Sequence, residues 1–267
     1  MKAVFFDVDG TLIEGTHPDY RYMRENVQKA IRKLQEQGHC VFIASGRSLA
    51  FLDEKIRKFG FDGYVLLNGA VIFFHDKIIY KSALEKSFVE KLTTICDEHD
   101  MQYSLQGDMH TYVDKNFAYL IHRLGQYGIF ADQLTFDYDK NAIDVYKLEI
   151  DSPRHEDRKY IIENLPEDMT YVEDMNHNYC HLEVYAKENS KATGALKVLE
   201  LLNIDIKDSY AFGDGDNDIE ILSTVGTGMA MANGSVKARN SAKIVVPSVF
   251  EDGVAYGIEK YILDKAK

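Results

Sequence analysis

Basic residues are the first shortage in this sequence. Lysine and arginine number 31 against 43 aspartates and glutamates, giving a formal net charge of −12 at pH 7. With no basic excess to displace counterions, binding to nucleic acid or to an anionic membrane surface is not expected. An anionic ligand would have to find its cations locally. Long apolar runs are missing as well: none approaches the roughly 20 residues needed to cross a bilayer. The N-terminus reaches Asp7 before a signal-peptide core could form. Cysteine is scarce. Cys40, Cys96 and Cys180 are odd in number, widely spaced and set among apolar residues, which predicts buried thiols in a reducing, cytoplasmic compartment. No Cys-x-x-Cys pair supplies a zinc signature. Internal repeats, low-complexity segments and Pro-rich linkers are also absent.

What is present is an ordinary globular composition, 45% hydrophobic and 28% charged, in a chain of 267 residues, long enough for two domains. The first part alternates short apolar runs with helical patterns. "AVFFDVDG" predicts a buried strand; "RENVQKAIRKLQEQG" places Val27, Ile31 and Leu34 on one helical face and ends at Gly38. "HCVFIASGR" predicts a second strand, "LAFLDEKIRKFG" a second helix and "GYVLLNGAVIFF" a third strand, with a hairpin turning near His75-Asp76-Lys77. From Ala83 to Val184 the pattern changes to helix, hairpin, helix, strand, helix, hairpin. Strands there such as "HTYVD" and "HLEVY" alternate in polarity, which predicts an antiparallel sheet with one solvated face. Strand–helix alternation then returns. The expected fold is α/β, a Rossmann-like parallel-sheet core (residues 1–82 and 185–267) interrupted by an inserted α+β cap domain (83–184).

In an open α/β sheet, ligands bind beyond the carboxyl ends of the strands. Polar clusters stand at the predicted strand ends: Asp7-Val8-Asp9-Gly10-Thr11, Ser45-Gly46-Arg47, Asn68-Gly69, and Gly213-Asp214-Gly215-Asp216-Asn217-Asp218. Asp7 and Asp9 share a side of an extended chain. With Asp214 they offer the hard oxygens that Mg²⁺ prefers. Asn217 and Asp218 open a predicted helix, where free N–H groups favour an anion. Gly10, Gly46, Gly213 and Gly215 allow close backbone approach. Lys191, at the start of a helix, suits a point charge facing phosphate. Each feature alone has an ordinary reading as a turn, a cap or a surface lysine. "GDGDND" lacks the glutamate of a calcium loop, since Val225 occupies the twelfth position. His177 and His181 sit on a predicted hairpin and are expected to be solvated or packed rather than to bind metal.

Taken in order, "DVDGTL", "SGR", "SKATGAL" and "GDGDND" resemble the motifs of the haloacid dehalogenase superfamily of phosphatases, and the insertion resembles the α+β cap of its Cof-like branch. Two positions depart from the pattern: Val8 replaces a common leucine, and Ala192 replaces a glycine that here comes at Gly194. The resemblance implies that Asp7 is the nucleophile, forming an aspartyl-phosphate, and that Asp9 is the acid and base. It implies that the Val8 amide, Ser45, the Gly46 backbone, Lys191 and Asn217 hold the phosphoryl group. Asp7, the Asp9 carbonyl and Asp214 would bind Mg²⁺, with Asp218 in the outer shell. The implied activity is hydrolysis of small phosphorylated metabolites, sugar phosphates among them. Phosphotransfer between sugars is the enzymatic alternative. A phospho-receiver is the noncatalytic one, and it would leave Asp9 and the insertion unexplained. Glu183 and "DMNHNY" are candidate contacts to the leaving group.

Overall fold

The computed structural model describes residues 1–14, 22–174 and 180–263, which divide into two compact units. The first unit comprises Met1–Gly46, Leu52–Lys81 and Ser190–Lys267. Its sheet has eight strands, in spatial order Ile244–Val246, Thr227–Met231, Ser209–Gly213, Ala3–Phe6, Cys40–Ala44, Gly63–Leu66, Val71–Phe74 and Lys77–Lys81. The first six run parallel and the last two form an antiparallel edge. Ala3–Phe6, fully buried, lies at the centre, as its unbroken apolar run requires. Helix Glu25–Glu36 buries Val27, Ala30, Ile31 and Leu34, and the left-handed Gly38 lies just beyond its end. Helix Lys191–Leu201 packs Ala192, Ala195, Val198 and Leu199 into the cluster that holds Phe5, Phe42 and Val65. Each such large side chain contributes roughly 1.5–3 kcal/mol when fully buried.

Two details differ from expectation. "GYVLLNGAVIFF" is not one strand but two antiparallel ones, Gly63–Leu66 and Val71–Phe74. The chain reverses between them because Leu67, Asn68 and Gly69 all take left-handed φ angles of 52°, 55° and 93°. A non-glycine residue held there costs of order 1–3 kcal/mol. The second difference is the helix expected over "LAFLDEKIRKFG". It starts only at Glu54, capped by Asp53, and runs to Phe59.

The second unit comprises Arg47–Phe51 and Ser82–Asn189. Its six-stranded sheet has the order Met169–Asp174, Cys180–Ala186, Lys147–Ser152, Gln102–Gln106, Thr111–Val113 and Leu134–Thr135, antiparallel except for the final pair. The strands alternate as expected. Leu105, Leu148, Ile150, Leu182 and Val184 face an apolar cluster with Val89, Leu92 and Cys96 of helix Lys86–Glu98. The opposite face is polar, but much of it is not solvated. Gln106, Lys147, Glu149, Asp151 and His181 are all buried on it. They persist there because their polar groups are hydrogen-bonded and their charges met by opposite ones: Arg123 Nε donates to Asp151 at 2.9 Å, Lys147 Nζ to Glu183 at 2.9 Å, and the neutral Gln106 carboxamide to Glu149 at 2.9 Å. A smaller apolar cluster joins Phe51 to Val113, Leu120, Leu124, Ile129 and Leu134. Among the described residues no helix is long and apolar enough to cross a membrane. Cys40, Cys96 and Cys180 are free thiols, the last two buried and Cys40 half-buried.

His181, expected to be solvated or packed, is packed, with Nδ1 3.0 Å from an Asp151 oxygen. Residues 175–179, with His177, lie outside the described residues. Burial alone would lower the His181 pKa, but hydrogen bonds to Asp151 and Glu183 outweigh it and raise the value to about 9. A raised folded-state pKa contributes stability in full below the unfolded value of about 6.5, and that contribution is lost as pH rises through about 9. In urea unfolding, wild-type protein should therefore lose stability between pH 7 and pH 9. His181→Gln should lose clearly less across that window; parallel curves would show that His181 is not the titrating group.

Candidate active site

The chain order of the first sheet reverses about its central strand. The strand that follows Ala3–Phe6 in sequence, Cys40–Ala44, pairs on one side, and Ser209–Gly213 pairs on the other. Such a reversal opens a crevice beyond the strand ends. Asp7 stands there directly after the strand. Its N–H still donates to Phe212 O at 3.0 Å, and its side chain is largely buried. The next residues close a compact loop in which the Val8 carbonyl accepts from the N–H groups of Leu12 (2.9 Å) and Ile13 (3.0 Å), while Gly10 N–H donates to Ile13 O (2.9 Å). Gly10 is left-handed, and a Cβ on it would overlap the Asp214 carboxylate. Glycine there satisfies both the dihedral and the space. The Val8 side chain is buried in the core, and Asp9 is half-buried on the loop.

The second set of residues arrives more than 180 positions later. Ser190 caps helix Lys191–Leu201, accepting from Thr193 N–H at 3.1 Å. This sends the Lys191 side chain inward until it is 1% exposed. Its ammonium donates to Asp7 Oδ1 and to Asp218 Oδ1, both at 2.6 Å. The other Asp218 oxygen accepts the N–H groups of Asp214 (3.0 Å) and Gly215 (2.9 Å), so Asp218 fixes the loop after strand Ser209–Gly213. Thr11 Oγ1 donates to Asp214 Oδ1 at 3.0 Å. Carboxylate oxygens of Asp7, Asp214 and Asp218 lie within 4.8 Å of one another.

Three carboxylates and one ammonium leave two negative charges uncompensated when all are ionised. Burial, together with the nearby Asp218 charge, therefore holds the Asp7 pKa well above the usual carboxylate range. Burial and Asp218 likewise push Asp214 up to about 6. Burial alone would lower Lys191, but Asp218 and Asp7 raise it above its ordinary value, so the ammonium stays charged. This donor set, all oxygen, close together and short of two positive charges, fits a hard divalent cation.

Of the residues singled out in the sequence, Asp7, Lys191 and Asp214 meet in this cluster. Asp218, which the resemblance puts in the outer shell, joins them as a third carboxylate. Ser45 is buried at the end of the neighbouring strand; its N–H donates to Val65 O at 2.9 Å, and its carbonyl accepts Asn68 N–H at 3.3 Å. Gly46 follows, so close to Asn68 that a Cβ on it would collide with the carboxamide oxygen. Asn217 is exposed in the turn Asp216–Asp218. Thr11 carries no signal of its role in the local sequence, since its partner Asp214 is 203 positions away.

The haloacid dehalogenase-like hydrolase family matches the chain over residues 4–258. The protein named "Putative phosphatase YkrA" of Bacillus subtilis (strain 168) is 30% identical over 262 residues, spanning 97% of this chain and 97% of that protein. A hypothetical protein from Geobacillus kaustophilus HTA426, of solved structure, superimposes with a TM-score of 0.86 at 30% identity, covering 97% of this chain and 98% of that one. The sugar phosphatase BT4131, of subclass IIB, shares the fold with a TM-score of 0.79 at 22% identity, covering 98% and 99% of the two chains.

Replacing Lys191 by methionine removes the only ammonium bonded to Asp7 and Asp218 among the described residues. Losing one partner of a buried ion pair costs about 3–5 kcal/mol. That deficit is expected in urea unfolding at pH 8 with a chelator present. It should shrink at pH 5, because Asp214, pushed up to about 6, takes a proton as pH falls through that value, and Asp7, held well above the usual carboxylate range, shifts the same way. A deficit below 1 kcal/mol, or one equal at both pH values, would contradict this account.

Proposed function

The chain belongs to the haloacid dehalogenase-like hydrolase family, and on that premise we propose that it is a Mg²⁺-dependent phosphatase of small phosphate monoesters, sugar phosphates among them. The observation that carries this reading is the buried Lys191 ammonium held 2.6 Å from both Asp7 and Asp218 at the carboxyl end of the central strands. Asp7 attacks phosphorus, forming a carboxylate–phosphorus bond as the bond to the leaving alkoxide breaks. Asp9 gives that alkoxide its proton. It then takes one from water, which attacks the aspartyl-phosphate and releases inorganic phosphate and free Asp7. Lys191, Ser45, the Gly46 backbone, the Val8 amide and Asn217 grip the phosphoryl oxygens.

Attack requires Asp7 as a carboxylate, yet its site favours the protonated form. A phosphate dianion makes this worse. At ~4 Å and an effective dielectric of ~20, each unit pair repels by roughly 4 kcal/mol, so the approach costs about 8. At ~1.4 kcal/mol per decade of rate, that suppresses reaction more than 10⁵-fold. Asp7, Asp214 and the Asp9 carbonyl would hold the metal, with Asp218 behind them. When bound, Mg²⁺ supplies the positive charge that keeps Asp7 ionised and offsets the repulsion.

The insertion is proposed to select the leaving group. Glu183, half-buried on its polar sheet face and bonded to Lys147, is the candidate contact to the hydroxyl groups of that leaving group.

Asp7→Asn should reduce hydrolysis of an aryl phosphate below a few per cent of wild type, measured as phosphate release by freshly purified protein. Residual turnover well above that level would remove Asp7 as nucleophile. Asp9→Asn should lose on the order of 10²–10⁴-fold on a sugar phosphate, whose alkoxide needs a proton, and much less on the aryl ester. Equal losses on both would argue against the acid role. A chelator should abolish turnover, and added Mg²⁺ should restore it.

A further inference from the structure

Asn68 belongs to a strand-end cluster that the mechanism above leaves without a task. It lies in the turn between strands Gly63–Leu66 and Val71–Phe74, with φ 55°, between Leu67 at φ 52° and Gly69 at φ 93°. Leu67 is fully buried and Asn68 nearly so. Left-handed backbone is unfavourable for L-residues and least so for glycine. A glycine at position 68 would therefore suit the backbone better than asparagine does, and the carboxamide has to be explained by what it touches.

The turn touches both elements assigned to the phosphoryl group. Asn68 N–H donates to Ser45 O at 3.3 Å, and the carboxamide oxygen stands where any side chain on Gly46 would collide with it. One residue on, Gly69 lies against the carbonyl of Ser190 and the amide of Gly194, so that even a methyl group there would strike the first turn of the Lys191 helix. The strained turn thus sits between the Ser45–Gly46 loop and the residue before Lys191, in contact with both.

We propose that Asn68 is a positioning residue that sets the Ser45–Gly46 backbone against Lys191 so that both address the same phosphoryl group; the inference rests on the phosphatase reading. Asparagine fits this task in two ways. It tolerates the left-handed backbone better than other residues with a side chain. Its carboxamide is also polar without adding charge where an anion must bind. Strain kept at such a turn is a known mark of functional constraint.

The test compares Asn68→Gly, Asn68→Asp and Asn68→Ala in the full chain. Thermal unfolding is read beside inhibition by inorganic phosphate and the KM and kcat for an aryl phosphate. Asn68→Gly is expected to unfold at the wild-type temperature or above it. It should bind inorganic phosphate at least tenfold more weakly, with KM rising in parallel and kcat changing less. Asn68→Asp keeps the backbone tolerance but places a negative charge beside the loop, and should weaken phosphate further. Asn68→Ala should lose both stability and affinity. Phosphate inhibition and KM within twofold of wild type in Asn68→Gly would overturn the proposal. So would weakening confined to variants that also unfold early, which would make the role structural. A wild-type protein that hydrolyses no phosphate ester removes the parent reading and this inference together. An active wild type with unaltered variants removes this inference alone.

Discussion

The structure of the site depends on one buried ammonium. Lys191 reaches Asp7 and Asp218 at hydrogen-bond distance while almost wholly excluded from water. Taking each of these ions out of water costs several kcal/mol, and the pairing repays that cost only if the geometry is fixed independently. Backbone interactions supply that fixity. The Asp7 amide extends the ladder of the central strand pair, Ser190 caps the helix that carries Lys191, and Asp218 ties the amides of Asp214 and Gly215. The side chains therefore do not need to find one another. They are delivered by elements whose stability comes from the apolar core.

The same arrangement remains incomplete on its own. Three close carboxylates with a single cation favour protonation, as the raised pKa values of Asp7 and Asp214 record. Glycine at position 10 lets the first loop approach the Asp214 carboxylate, and Thr11 donates to that group from the same loop. The folded chain thus gathers three carboxylates around one ammonium, an excess of acidic groups that raises their proton affinity.

Much of this was legible in the sequence. The apolar run ending in Asp7 located the central strand, and the ordered strand-end clusters located the crevice. Lys191 was legible as a helix-start lysine but not as a buried one, since its partners are 184 and 27 positions away. The contact of Asp218 with Lys191 was not legible for a similar reason: it depends on how two distant elements pack. Asn68-Gly69 is a turn dipeptide, but the apolar residues on both sides of it read as one continuous strand, and Leu67 gives no warning of its own left-handed backbone. Alternation gave the strands of the insertion correctly but not the fate of their polar face. Period two separates two faces, and says nothing about whether charges on one of them are solvated or paired.

The small segment Arg47–Phe51 has a different kind of consequence. It is encoded inside the first unit's stretch of sequence yet belongs to the second, where Phe51 fills an apolar cluster with Val113, Leu120 and Leu124. The chain passes between the units at residues 46–47, 51–52, 81–82 and 189–190, rather than only at the ends of the long insertion. The second unit is therefore not a cassette bounded by two splice points. Exchanging it between related proteins, or excising it, would strand a buried phenylalanine on one side and leave a hole on the other. The five residues directly after Gly46 must change in concert with a domain that begins more than thirty residues later.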